Sequence, residues 1–432
     1  MRKLFFVYLL IMEFVMASSL SSVKVGNTSI PFIFEKSDSL PIVSMELVFV
    51  SSGAITDGNL SGLAKFSASL LNEGSLKSGS EKFAERLDSK AIHLSSGVGY
   101  ETFVIRLDSL KENFLEGVEL LIELLTSPNL SKETFEMVQA KTISKILQTE
   151  SNYDYQALKN LKKLIFKGTP LASTELGTVE SVQNITLKDV EKFLKNRLVL
   201  KRVIPIIGGN LSEDEAKKIL KSILGNLEVG ESQPLQKFEF NSEDREVVEF
   251  KDTKQAYIYF ASPLNIKYSD KDRYKAKVMF FILGSSGFGS RLMEEVRVKN
   301  GLAYSVSANG VIEKSRSYFS GHLQTKIDNL DKAKDIVERV IKEFIENGAT
   351  EEELESAKKF ILGSEPLRNE TLSQRLHRAF KNYYSERPLD YNKKELELIK
   401  NLSLSELNQF IKKHREILQL SYSIITLKSE LK

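Results

Sequence analysis

The chain has no cysteine in 432 residues and only four histidines. Without cysteine there is no disulfide framework, no thiol nucleophile, no thiolate metal site and no lipid-modified cysteine behind a leader. His93, His322, His377 and His414 lie on separate segments, so no two imidazoles share a helical turn as metal ligands would. An excess of charge of one sign is also missing. The 61 Lys and Arg are interspersed with 58 Asp and Glu, for a formal net charge of +3. No dense basic block with interleaved aromatics occurs, which argues against a nucleic-acid partner. The long apolar run is at the N-terminus, where Arg2 and Lys3 precede an apolar stretch over residues 4–12 that continues past Glu13 to Ala17. It is shorter than the ~20 residues of a membrane-spanning helix. With Val15-Met16-Ala17 ahead of Ser18, it reads as a cleaved secretory signal over residues 1–17. The mature chain is then expected in a bacterial periplasm or outside the cell.

What is present is globular. Hydrophobic residues make up 41% and charged residues 28%, and the length exceeds what one core ordinarily serves. A repeat divides the chain. Residues 102–150 and 318–365 each begin with an alternating strand, Phe103 to Leu107 and Phe319 to Gln324. Each then runs into an amphipathic helix, with Val118, Leu121, Ile122 and Leu125 in the first copy. Ile336, Val337, Val340, Ile341, Phe344 and Ile345 form the same stripe in the second. Each copy turns and starts a second helix behind a capping residue, Ser131 or Thr350, and Thr350 with Glu353 makes a capping box. The second helices are expected over residues 135–147 and 354–362. The copies lie about 215 residues apart, as in a duplicated domain. The boundary falls in the aperiodic, turn-rich stretch from Glu228 to Pro234. This gives an N-terminal domain over 18–227, a linker over 228–235 and a C-terminal domain over 236–432. Runs of strand and helix without strict alternation indicate α+β, an antiparallel-dominated sheet with helices on one face in each domain.

Residues 62–74 read Gly-Leu-Ala-Lys-Phe-Ser-Ala-Ser-Leu-Leu-Asn-Glu-Gly. The stretch resembles the metal-binding helix of the pitrilysin-type zinc peptidases, the inverzincins. That family writes H-x-x-E-H where this chain has Lys65, Ala68 and Ser69 at the His, Glu and His positions. A catalytic zinc needs three protein ligands and an open position for water, and the Glu takes the proton of that water. Lys65 repels a metal, Ala68 moves no proton and Ser69 is a poor ligand. The resemblance puts a third ligand, a Glu, on the helix of residues 135–147, and no acidic residue occurs between Glu136 and Glu150. By itself, the turn from Lys65 to Ser69 reads as part of an ordinary amphipathic helix.

The second half carries Gly284-Ser-Ser-Gly-Phe-Gly-Ser-Arg-Leu292, then Met293-Glu-Glu-Val-Arg297 and Gly301-Leu-Ala-Tyr304. This is similar to the C-terminal signature of the same family, in which an Arg and a Tyr seven residues apart bind substrate. Arg297 and Tyr304 have that spacing. Taken singly, Arg297 complements a helix C-terminus with Glu294 as its i−3 partner, and Tyr304 begins a strand. The Gly-rich loop over 284–289 lacks a following Gly-Lys-Ser/Thr and does not match G-x-G-x-x-G, so it reads as a turn. The resemblance implies two α+β domains facing each other as half-shells. It also implies a non-catalytic subunit of a heterodimeric zinc peptidase that binds no cofactor itself. A paralogue with H-x-x-E-H would hold the zinc, and this chain would add Arg297 and Tyr304 around a peptide substrate. The alternative is a catalytically dead peptide-binding or scaffold protein with no peptidase partner.

Overall fold

A computed structural model describes residues 18–428, so the expected signal over 1–17 lies outside the described residues. The first sheet holds β1 (Ser19–Val25), β2 (Thr28–Lys36), β3 (Ile42–Val50), β4 (His93–Val98), β5 (Thr102–Leu110) and β6 (Val203–Gly209). The second holds β7 (Glu246–Phe250), β8 (Gln255–Pro263), β9 (Ala303–Ile312), β10 (Ser317–Lys326) and β11 (Ser421–Thr426). Their orders are β1-β2-β6-β3-β5-β4 and β7-β11-β8-β10-β9. From β2 onward the second order repeats the first position by position. The parallel pairing recurs too, β2 with β6 and β7 with β11, while the other neighbouring strands pair antiparallel. The two halves are therefore copies of one α+β half-shell, as the repeat at Thr102 and Tyr318 suggests.

The amphipathic stripes fold as their period dictates. The Leu330–Asn347 helix buries Ile336, Val337, Val340, Ile341, Phe344 and Ile345, and the Lys111–Thr126 helix buries Val118 and Leu121. The second helices begin directly behind their caps, as Lys132–Glu150 and Glu351–Gly363. Ser131 accepts from the Thr134 N–H, and Thr350 with Glu353 forms the reciprocal box. These helices extend a turn further than the apolar pattern alone indicates, because the capped first turn carries polar residues.

One feature of the packing is not visible in the repeat. Each half lays a helix on the far face of the other half's sheet. The Tyr153–Ile165 helix seats Ala157, Leu161 and Ile165 against Tyr259, Ala261 and Ile425. The Leu372–Tyr384 helix seats Leu376 and Phe380 against Ile33, Val48 and Ile206. β3 shows the consequence. Its Met45, Leu47 and Phe49 join the main N-terminal core, while Val48, on the opposite face, joins the donated helix. The alternation of Ser44, Met45 and Glu46 accordingly gives way to the apolar run Leu47 to Val50, as expected where both faces are covered. The segment joining the halves is extended and pinned to both. The Arg202 Nε donates to the Glu231 carbonyl at 2.9 Å. The Phe238 and Asn241 N–H groups donate to the carbonyls of Ser315 and Ile165.

Candidate functional site

The helix that aligns with the family's metal helix is Leu63–Leu71. Asp57 anchors its start: one carboxylate oxygen accepts from the Gly62 N–H at 2.8 Å and the other from the Ala64 N–H at 2.9 Å. These are first-turn donors that have no partner within a helix. Gly62 has φ +97° and an added Cβ would sit 2.6 Å from the Leu176 carbonyl, so a side chain there is excluded twice over. Burial pushes the Asp57 carboxyl up to about 7, against the opposing pull of the Ala64 and Gly62 N–H groups and of Arg197. Its ordinary value is 3.8. The folded state therefore holds the proton more tightly than the unfolded chain between those two values. Stability contributed by Asp57 is full below about pH 4 and is lost as pH rises toward about 7. Thermal melts should show the native chain losing stability relative to Asp57→Asn over that window, with the difference constant above it. A native chain that gains stability relative to Asp57→Asn as pH rises through that window would contradict the assignment.

The zinc of the related peptidases does not fit this helix. Ala68 is 1% exposed and sits in the N-terminal core. The Ser69 hydroxyl donates back to the Lys65 carbonyl at 3.0 Å. The Lys132–Glu150 helix packs alongside through Phe135, edge-on to Phe66 at 5.2 Å. It brings Lys141, paired with Glu73 at 3.2 Å, and carries no carboxylate between Glu136 and Glu150. The Lys65 ammonium, a methyl group and a self-bonded hydroxyl do not make a ligand set. Among the described residues no group of three or more His, Asp or Glu side chains converges as a metal site.

The second candidate region is built differently. The chain enters the Gly-rich loop through the π-wound segment Phe281–Ser285 and, past Arg291–Met293, continues through a second π-wound segment, Glu294–Lys299. Such segments are rare and recur at functional sites. The loop closes on itself, since the Ser290 hydroxyl donates to the Gly287 carbonyl at 2.9 Å. Gly287 and Gly289 have φ of +69° and +94°, a conformation that glycine adopts without penalty. This agrees with a structural turn. Two backbone bonds then fix the exit: the Gly301 N–H to the Arg297 carbonyl and the Leu302 N–H to the Val296 carbonyl, each 2.9 Å.

That geometry brings Arg297 onto Tyr304. The guanidinium lies 4.5 Å from the Tyr304 ring centroid and 4.7 Å from that of Phe288, so it stacks between two aromatic rings. Tyr304 is 83% exposed and Phe288 is 70% exposed. The i−3 ion pair to Glu294 does not form among the described residues; the neighbouring Glu295 instead pairs with Lys299 and Arg339. The helix-end account of Arg297 therefore explains its position but not its side chain. Two exposed aromatics and a cation with unused N–H donors face solvent at the start of the edge strand β9. Stacking on rings leaves the guanidinium edge free for a carbonyl or carboxylate. Phe288 was not singled out by the sequence; its place between two turn-forming glycines was the only available sign.

The histidines stay apart. His93 opens β4. His322 on β10 stacks on Tyr259 at 5.1 Å. His414 is buried with its Nδ1 2.8 Å from Glu416. His377 lies on the Leu372–Tyr384 helix, where burial, then Lys381, holds its imidazole below the ordinary range.

Comparison with known proteins bears on the family and the fold. Residues 33–179 match the family model described as Insulinase (Peptidase family M16), and residues 184–361 match Peptidase M16 inactive domain. The chain is 41% identical over 414 residues to a protein of Helicobacter pylori named Non-peptidase homolog YmxG, covering 96% of each. It shares its fold with the crystal structure of a peptidase M16 inactive domain from Pseudomonas fluorescens. That match has a TM-score of 0.87 and 22% identity, over 96% of this chain and 99% of the other. A protease structure from Helicobacter pylori matches with a TM-score of 0.82 and 16% identity, over 95% and 100%.

Proposed function

The chain belongs to the insulinase family, peptidase family M16, and on that premise we propose that it is a catalytically inactive member that binds extended peptide beside a zinc-bearing paralogue. Lys65, Ala68, Ser69 and Lys141 support inactivity of the chain alone. The observation that carries the rest is the exposed Phe288–Arg297–Tyr304 stack, whose Arg297 N–H groups and Tyr304 hydroxyl have no hydrogen-bond partner among the described residues. In a chamber formed with a paralogue that carries H-x-x-E-H, the Tyr304 hydroxyl would donate to a peptide carbonyl as negative charge grows on its oxygen. Arg297 would orient that carbonyl. Zinc would sit on the partner, and the secretory signal would place the pair outside the cytoplasm. Among the described residues no helix is long and apolar enough to cross a membrane.

Two measurements test the reading. The purified chain is expected to hold far less than one zinc per molecule by elemental analysis and to cleave no peptide. About one tightly bound zinc with chelator-sensitive hydrolysis would overturn inactivity. Copurification from the native host, followed by a peptidase assay, is expected to recover an H-x-x-E-H chain in stoichiometric amount. Recovery of the chain alone, still binding peptide, favours the scaffold reading instead.

A further inference from the structure

β4 pairs with β5 on one side, and its other side is the end of the six-stranded sheet. In an antiparallel pair, alternate residues exchange both backbone bonds with the partner strand, and the residues between point theirs away. The Gly99 N–H bonds the Thr102 carbonyl at 3.0 Å, which sets the phase. His93, Ser95 and Gly97 face β5, so Leu94, Ser96 and Val98 turn their N–H and C=O to the open edge. Ser96 is the central one, and both of its edge groups are taken. Its N–H donates to Asn72 Oδ1 at 2.7 Å, and its carbonyl accepts from Asn72 Nδ2 at 3.0 Å. A carboxamide presents one acceptor and a donor much as a peptide group does. Asn72 is the C-cap of the Leu63–Leu71 helix, so a rigid element delivers this surrogate residue to the edge.

An exposed sheet edge is a template for an added strand. We propose that Asn72 closes the β4 edge to extended peptide and is the specificity-determining residue that leaves peptide to the Arg297–Tyr304 face. The proposal rests on the reading that this chain binds peptide. A strand adding at β4 must expel the carboxamide, and its own central N–H and C=O gain only what Asn72 gives up. Two hydrogen bonds of ordinary net strength correspond to about 10- to 100-fold in affinity. The side chain itself is exposed while Ser96 is buried, so removing the amide uncovers the edge without opening the core.

The test uses the full chain with Asn72→Ala, and with Asn72→Asp as a near-isosteric second variant. Asp keeps an acceptor for the Ser96 N–H but sets a carboxylate oxygen against the Ser96 carbonyl. The probe is a short fluorescein-labelled peptide of alternating Val and Thr with a Lys at each end, read by anisotropy and by amide hydrogen exchange. Both variants should bind it about 10- to 100-fold more tightly than the native chain, Asp with the smaller gain. Bound probe should slow exchange at Leu94, Ser96 and Val98 in the variants but not in the native chain. Unchanged affinity in both variants, with faster exchange at Ser96 in the absence of probe, overturns the proposal. Protection of β4 by the probe in the native chain does so too. Failure of the underlying function looks different: native binding would be insensitive to Arg297→Ala while the Asn72 variants still gain binding at β4.

Discussion

Paired with the zinc-bearing paralogue proposed for it, the Tyr304→Phe chain is expected to support peptide cleavage about 10²- to 10³-fold more slowly than the native chain, the usual loss when one donor to a developing oxyanion is removed. The argument rests on what the change leaves alone. Tyr304 is 83% exposed, and its ring still stacks under Arg297 when the hydroxyl is gone. Folding stability should therefore stay within about 0.5 kcal/mol, as for surface substitutions generally. Arg297→Ala should cost less in rate, about 10-fold or more, and should act mainly on KM, because it orients substrate and clamps the Tyr304 ring. Arg297→Lys should not restore it, since an ammonium lacks the planar stack between Phe288 and Tyr304. Thermal melts check folding and gel filtration checks assembly. If both variants assemble and retain the full peptidase rate on every cleavable peptide, the pair are helix-end and strand-start residues only, and the scaffold reading moves ahead.

How much of this was legible in the sequence depends on whether the interaction is local. The stripe from Ile336 to Ile345, the capping box of Thr350 and Glu353, and the strands at β5 and β10 are set by periodicity and short-range hydrogen bonds, and they fold as read. The repeat was legible because both copies keep the same periods at the same offset. The exchanged helices were not. Tyr153–Ile165 is an ordinary amphipathic helix, and nothing in its spacing says that Leu161 meets Ile425 rather than its own sheet. β3 held a clue in the run Leu47-Val48-Phe49-Val50, whose alternation stops and which asks for cover on both faces. At the candidate site, the seven-residue spacing of Arg297 and Tyr304 pointed to a pair. The π-winding that aims them, and Phe288 as the second ring, depend on tertiary contacts with β9 and could not be read. Asn72 carries no sign in the sequence for the same reason. Its partner, Ser96, lies 24 residues away on another element.

Writing the missing motif back in should not make an enzyme. The triple change Lys65→His, Ala68→Glu and Ser69→His restores the family's two imidazoles and its base. Ala68, however, is 1% exposed and lies among core side chains. A Glu there adds volume to a packed site, which alone typically costs about 1–3 kcal/mol. It also buries a carboxylate with no cation prepared to meet it, which favours the protonated acid over the general base the chemistry needs. The third ligand is still absent, because the Lys132–Glu150 helix offers Lys141, already bound to Glu73, and no carboxylate between Glu136 and Glu150. A two-histidine site holds zinc weakly. The triple variant is therefore expected to melt below the native chain, to take up little zinc at equilibrium dialysis and to show no turnover above background. Robust zinc-dependent cleavage by that variant alone would mean that a ligand lies outside the Lys132–Glu150 helix, and that this chain lost its activity by those three substitutions and nothing else.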